Sequence, residues 1–149
     1  LVFNVNYTHI FSGAKYPYVV TYPGSYPYFK PTYVDTFYTD RLIYQPKDIV
    51  NLSIGYDYKG FSMVASMIYQ GDVFQQTAFW PESRSHKAIY LRWDLILKQA
   101  LPWFGMSTDL NVNNLNSESD IFLNNGNEFP LNQQTYGLTA TFGLRWRFE

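Results

Sequence analysis

The chain contains no cysteine, which excludes a disulfide scaffold and a thiolate metal site. Charge is also scarce: Asp, Glu, Lys and Arg make up 15% of the 149 residues, against about 25% in ordinary soluble domains. With a formal net charge of −1 there is no basic field to neutralise phosphates, which argues against a nucleic-acid partner. No apolar run approaches the ~18 residues of a membrane helix, and no segment carries the 3.6-residue period of an amphipathic one. The two histidines, His9 and His86, have no carboxylate or cysteine at ligand spacing, so no metal or catalytic role attaches to them. No Ser-His-Asp constellation, phosphate-cradling glycine loop or carboxylate pair stands out. The expectation is a chain that is not an enzyme and carries no cofactor. An outer-membrane protease would need Asp and His residues converging at a rim, and two histidines give it little.

Aromatic residues, by contrast, are abundant at 20%, with 14 tyrosines. The last stretch, Tyr136 to Phe148, sets the theme. Tyr136, Leu138, Ala140, Phe142, Leu144, Trp146 and Phe148 alternate with Gly137, Thr139, Thr141, Gly143, Arg145 and Arg147. Period-two alternation of this length describes a strand with two chemically opposed faces, roughly twice the usual five or six residues. The same pattern runs through Leu1–Phe11, Val50–Tyr58, Phe61–Tyr69, Ile89–Lys98 and Met106–Asn113. Lys59-Gly60 is a two-residue hairpin turn, with glycine where a positive φ is needed. Segments 12–47, 71–87 and 114–134 lose the alternation and read as long loops, the first holding Pro17, Pro23, Pro27, Pro31 and Pro46.

Two regularities choose the architecture. Connections alternate long and short: long at 12–47, 71–87 and 114–134, short at 59–60 and 99–105. Outer-membrane barrels have this rhythm, with long loops outside and tight turns on the periplasmic side. The six apolar faces, moreover, comprise 32 positions without one Asp, Glu, Lys or Arg, where the chain's own 15% predicts about five. A charge facing lipid at the bilayer midplane costs ~2–4 kcal/mol, which gives this absence a cause. A soluble sandwich also keeps its core face free of charge, but its strands are shorter and its connections lack the rhythm. Tyr56, Tyr58, Phe61, Trp103, Phe104, Trp146 and Phe148 gather at the short-turn end, with Tyr44, Tyr69 and Tyr136 at the loop end. Amphipathic rings favour the headgroup level, so these read as two girdles.

The expected fold is all-β: an antiparallel up-and-down meander of about six long strands, a C-terminal segment of a transmembrane β-barrel spanning residues 1–149. Six strands are too few to close, because barrels of this class start at about eight. An open sheet in hydrocarbon would leave unpaired N–H and C=O groups along two edges. The chain opens at Leu1 with strand-like sequence and no signal segment. The reading is therefore a mature subunit of an oligomeric barrel or, preferred, a piece of a larger one.

Arg41 to Asp72 resembles the late barrel of TonB-dependent outer-membrane receptors. The resemblance rests on Gln45-Pro46 before a strand, a Gly60-Phe61 hairpin, and a strand ending in Tyr69-Gln70-Gly71. Leu110 to Glu118 is similar to the family's penultimate strand with its Asn-Leu ending. Gly143, Trp146 and Phe148 resemble the C-terminal signal read by the barrel-assembly machinery, with Glu149 after the aromatic as a departure. The resemblance implies a barrel of 22 strands in the outer membrane of a Gram-negative cell. Such a barrel is plugged by an N-terminal domain and imports a scarce nutrient, a siderophore or oligosaccharide, using energy transmitted by TonB. The plug and the TonB-contacting segment have no counterpart here. A passive porin is the alternative within the same architecture.

The loop from Tyr16 to Tyr44 is dense in aromatics. Tyr26, Tyr28, Phe29 and Tyr33 are the candidate ligand-binding residues, able to stack on a sugar ring or hydrophobic chelate. The alternative is that these rings pack against neighbouring loops. Arg92, Asp94, Lys98, Arg145 and Arg147 are expected to face the lumen, contacting the plug or an anionic solute, or pairing with one another.

Overall fold

The computed structural model describes residues 1–27, 29–102, 105–127 and 129–147. The architecture is all-β and antiparallel throughout, with no α-helix among these residues and a single 3₁₀ turn at Pro81–Ser83. The strands are β1 Val2–His9, β2 Ala14–Tyr22, β3 Thr32–Asp40, β4 Asp48–Tyr58, β5 Phe61–Gln70 and β6 Val73–Gln76. They continue with β7 Ser85–Lys87, β8 Tyr90–Ala100, β9 Met106–Asn113, β10 Ser119–Asn124, β11 Asn132–Thr135 and β12 Thr139–Trp146. Six of them form one sheet in the order β1-β4-β5-β8-β9-β12. These are the six strands that alternation predicts, neighbouring one another in chain order.

The expectation of a single meander needs correction, because the long connections are themselves folded. Segment 12–47 contains the β2–β3 hairpin, and the other two supply a four-stranded sheet, β11-β10-β7-β6. The hairpin escaped the alternation test because both of its faces carry apolar or aromatic residues: Tyr16, Tyr18 and Val20 on one, Pro17 and Val19 on the other. Pro17 is tolerated because each strand of a two-stranded ribbon has an unpaired side. β6, β7, β10 and β11 are three to six residues long, too short for a periodicity to register. The final strand is also shorter than Tyr136–Phe148. Gly137 adopts φ +68°, which breaks the extension, and pairing begins at Thr139.

Register gives the large sheet its character. Directly opposed residues on paired strands share a face. Phe3, Ile54, Ala65, Leu95, Val112 and Ala140 form one such row across all six strands. Val5, Leu52, Met67 and Trp93 lie parallel to it on one side, and Met63, Leu97, Leu110 and Phe142 on the other. On the reverse face, Asp57, Ser62, Lys98, Asp109 and Gly143 are a row, as are Asn4, Ser53, Ser66 and Asp94. A one-residue slip in any strand would exchange its faces. The tight turn helps to prevent it: Lys59 and Gly60 have φ +44° and +83°, the pair of positive angles a two-residue hairpin needs to match strand twist.

Neither face is covered by a second layer. Val73 and Phe74, both outside the large sheet, are the only buried hydrophobic residues among those described. The accessible surface is 10870 Å², whereas a compact 17.5 kDa monomer exposes about 7,900 Å². The chain exposes roughly 3,000 Å² more than that, and the apolar face of the large sheet is open at both edges, where Phe142 and Phe3 are 68% and 65% exposed.

Gly60→Val tests the turn. Its Cβ would meet Ala100 Cβ at 3.2 Å in a backbone conformation that L side chains rarely adopt. The expected cost is about 1–3 kcal/mol, measured as a lowered midpoint of urea unfolding in detergent or lipid.

Candidate functional site

The sheet holds two regions where function-bearing residues gather: the folded loops beyond one end and the polar face between the ends.

At the loop end, the inner face of the β2–β3 hairpin is engaged at its base, around Tyr16, Tyr18 and Tyr38. Tyr18 stacks on Phe79 with centroids 4.4 Å apart and planes 8° from parallel. Tyr16 stacks on Tyr38 at 5.5 Å, and the Tyr16 hydroxyl donates to the Arg41 carbonyl at 2.9 Å. The Thr77 hydroxyl donates to the Tyr38 oxygen at 2.8 Å. Arg84 clasps the assembly. Its guanidinium pairs with Asp40 at 2.7 Å, donates to the Ala78 carbonyl at 2.9 Å and lies over the Tyr38 ring at 5.7 Å. For Tyr16, Tyr18 and Tyr38, then, the packing alternative describes what the rings do. Phe79 and the Asp40–Arg84 pair were not singled out in the sequence, because they join segments about forty residues apart with no local pattern.

The ligand candidates lie elsewhere on the hairpin. Tyr26 and Phe29 are at its tip, 84% and 65% exposed, their rings edge to face at 6.0 Å. Tyr33 is on β3, exposed, opposite Thr21. Tyr28 lies outside the described residues. The structure does not bring these side chains into one pocket. A cleft of about 520 Å³ instead follows the outer face of the same hairpin, lined by Pro17, Tyr18, Val19, Asp35, Thr36 and Phe37.

The Gln45-Pro46 and Tyr69-Gln70-Gly71 elements, far apart in sequence, meet in space. Pro46 bridges Val73, and the Gly71 N–H donates to the Asp48 carbonyl at 2.8 Å. A Cβ on Gly71 would approach Asp48 N at 3.2 Å, so the site favours glycine. Arg41 pairs with Asp72 at 2.5 Å and lies 5.6 Å from the Phe74 centroid. This junction fastens the loop layer to the ends of β4 and β5.

On the polar face, register puts Arg92, Asp94, Lys98 and Arg145 on one side of the sheet, as expected. Arg92 and Asp94 form an ion pair at 2.8 Å, and Asp94 also accepts the Asn114 N–H at 2.9 Å. Arg147 follows β12, its N–H bonded to the Gly105 carbonyl at 3.3 Å. Gly143 has a plain steric role. The Asp109 carboxylate sits over its Cα, only 2.6 Å from where a Cβ would be. Trp146 faces Met106 across the ladder, while Phe148, the third residue of the expected assembly signal, and the girdle residues Trp103 and Phe104 lie outside the described residues.

Two asparagines, quoted in the sequence only as part of a resemblance, organise the loop after β9. Asn114 is 5% exposed with φ +58°. Its Nδ2 donates to the carbonyls of Glu118 at 3.1 Å and Gly137 at 3.0 Å, and its Oδ1 accepts the Glu118 N–H at 2.8 Å. Asn116 donates to the Leu91 carbonyl at 2.6 Å and accepts the Trp93 N–H at 3.2 Å. The Asn116 amide thus extends the β8–β9 ladder past the Leu95–Val112 pair, beside the Leu115 N–H that donates to the Trp93 carbonyl at 2.8 Å.

One pair was invisible to spacing. His9 Nδ1 lies 2.6 Å from Asp48 Oδ1, which also accepts the Tyr7 hydroxyl at 2.9 Å. The β1–β4 register makes neighbours of residues 39 apart. Among the described residues there is no group of three or more His, Cys, Asp or Glu arranged for a metal ion.

Asn114→Ala would strip three hydrogen bonds from the main chain of Glu118 and Gly137, at an expected cost of about 1–3 kcal/mol. Limited proteolysis would detect it as faster cleavage within 114–138, whereas Ser117→Ala should cleave at the parental rate. Comparison with protein-family models, with curated proteins and with solved structures returns no match to this chain.

Proposed function

We propose that this chain is the C-terminal part of a transmembrane β-barrel in a Gram-negative outer membrane, and that the whole protein is a TonB-dependent receptor importing a scarce nutrient. One observation carries the membrane reading: an apolar face aligned in register across six strands, its one acidic residue Asp48 lying at the loop end beside His9, with no second layer of protein over it. In water, such a face would leave aromatic and aliphatic surface unburied at about 25 cal/mol per Å². Acyl chains remove that penalty. The dimensions agree. The 11 residues of β4 and of β8 extend about 37 Å, which at ~45° tilt crosses about 26 Å, close to the ~25 Å apolar band of such barrels.

The end groups fit the same frame. Tyr56 and Tyr58 stack at 6.4 Å beside the tight turn, with Lys59 over the Tyr58 ring at 5.3 Å. Tyr7 and Tyr69 flank Val50 at the loop end of the same face. The polar face would line the lumen, where Lys98, Asp109 and Arg145 meet water, the plug or solute. The family reading rests on the resemblance of Arg41–Asp72 and of the last strand, and the meeting of Pro46 with Val73 gives those motifs a common structural purpose. It entails the barrel-assembly machinery, TonB through the N-terminal region, and a siderophore or oligosaccharide ligand as partners, and a transport role without catalysis.

A second reading, a subunit of an oligomeric barrel, draws on the two unpaired edges. Five antiparallel pairings separate β1 from β12, so the edges run in opposite directions and those of two copies can pair antiparallel. Heat-dissociated barrel of higher mass than one polypeptide would favour it over the receptor; a passive porin would import without energy.

The test pairs two charges in the parent protein. Leu95→Arg, on the apolar face at mid-strand, should cost ~2–4 kcal/mol and deplete folded, heat-modifiable barrel from the outer membrane. Ser66→Arg, on the reverse face, should leave its amount within about twofold. Uptake should also cease when a protonophore collapses the ion gradient; uptake that persists would remove the TonB-dependent assignment.

A further inference from the structure

Of the residues the sequence nominated for ligand binding, only Tyr33 lies on the hairpin's outer face. Opposed pairs there are Lys15 with Thr39, Pro17 with Phe37, Val19 with Asp35, and Thr21 with Tyr33. Phe37 and Tyr33 are 68% and 66% exposed. They stand four residues apart on one strand, hence about 13 Å from each other, with Asp35 between them on the same face. The cleft of about 520 Å³ covers the part of this row from Pro17 and Phe37 to Val19 and Asp35, within the range of small-ligand sites, and Tyr33 stands exposed just beyond it. The inner face of the same two strands is immobilised by the Tyr18–Phe79 stack and the Asp40–Arg84 pair. The outer rings are therefore held in place before any ligand arrives, which lowers the entropy cost of binding.

Charge selects the occupant. The loop segments 10–47, 71–89 and 114–138 hold six basic residues and seven acidic ones. Three of the six are committed: Arg41 to Asp72, Arg84 to Asp40 and Lys87 to Asp120. The outer face itself carries Lys15 and Asp35, which cancel. An anionic ferric chelate or a phosphorylated solute requires uncommitted guanidinium or ammonium groups converging on it, and this face has one lysine at its end. A purely hydrophobic solute requires enclosure of most of its surface, and the cleft is open. What remains is a ligand with apolar ring faces and many hydroxyls, long enough to touch both rings.

We propose that the outer face of the β2–β3 hairpin is a binding platform for an uncharged oligosaccharide. Phe37 and Tyr33 stack on the C–H faces of sugar rings, Pro17 and Val19 form the floor, and the Asp35 carboxylate accepts hydroxyl hydrogen bonds. The assignment deepens the import-receptor reading by naming its cargo class, and rests on that reading for the transport step alone.

The experiment uses the full-length parent protein in outer-membrane vesicles. Probes are neutral α-glucan, β-fructan and β-xylan oligomers of four to eight units, with an oligogalacturonate as anionic control. At least one neutral oligomer should bind, and Phe37→Ala and Asp35→Asn should each weaken it at least tenfold, with Lys30→Ala at the parental level. Equal amounts of heat-modifiable barrel in each variant would establish that folding is intact. Binding of none of the neutral oligomers, preference for the galacturonate, or parental affinity in both variants would overturn the platform. So would a Phe37→Cys variant that resists a membrane-impermeant maleimide on intact cells, since another protein segment would then cover the face. Loss of binding in the variants together with uptake indifferent to a protonophore would uphold the platform and sink the receptor reading instead.

Discussion

Main-chain hydrogen bonding across the β1-β4-β5-β8-β9-β12 ladder is the constraint from which the rest follows. With almost no buried side chains, the sheet is held by its N–H···O=C bonds and by the cross-strand contacts that register sets. Those bonds keep Phe3, Ile54, Ala65, Leu95, Val112 and Ala140 in line on one face and Lys98, Asp109 and Gly143 on the other. The special residues protect that register. Lys59 and Gly60 turn the chain without an extra residue, Gly143 makes room for the Asp109 carboxylate, and Asn116 prolongs the ladder with its side chain.

The loop layer follows a different logic. It is built from side-chain contacts between segments distant in sequence: aromatic stacks, the Arg84 clasp and the Arg41–Asp72 junction. Among the described residues, its buried hydrophobic side chains are Val73 and Phe74. This asymmetry suits the proposed role, because a sheet immersed in lipid needs no core of its own, while loops facing water must pack to hold a shape. It also explains why rings with the same chemistry divide into two populations. Tyr16, Tyr18 and Tyr38 are spent on structure, whereas Tyr33 and Phe37 are left facing out.

Much of this was legible in the amino-acid order. Six strands, their sequence in the sheet, the Lys59-Gly60 turn and the grouping of Arg92, Asp94, Lys98 and Arg145 on one face all follow from period-two alternation. That signal works because a strand's two faces meet different media. It failed where both faces carry similar residues, as in Lys15–Tyr22, and where strands are three to six residues long, as in β6, β7, β10 and β11. Pairings such as His9 with Asp48 or Arg84 with Asp40 depend on how distant segments are brought together, and no local pattern encodes them. The nominated rings Tyr26, Phe29 and Tyr33 are exposed, but the cleft lies beside Phe37 and Asp35, at positions that composition alone did not distinguish.

The central claim is that the apolar face of the large sheet contacts acyl chains. Nitroxide labels at single cysteines replacing Ala65, Leu95 and Phe142, and on the reverse face Ser66 and Ser107, measure this directly in the parent protein reconstituted in lipid. The account predicts that the first three collide with dissolved oxygen far more than with a water-soluble nickel chelate, and that the last two do the opposite. Labels at Ala65, Leu95 and Phe142 shielded from both reagents would mean that protein packs there, and would contradict it.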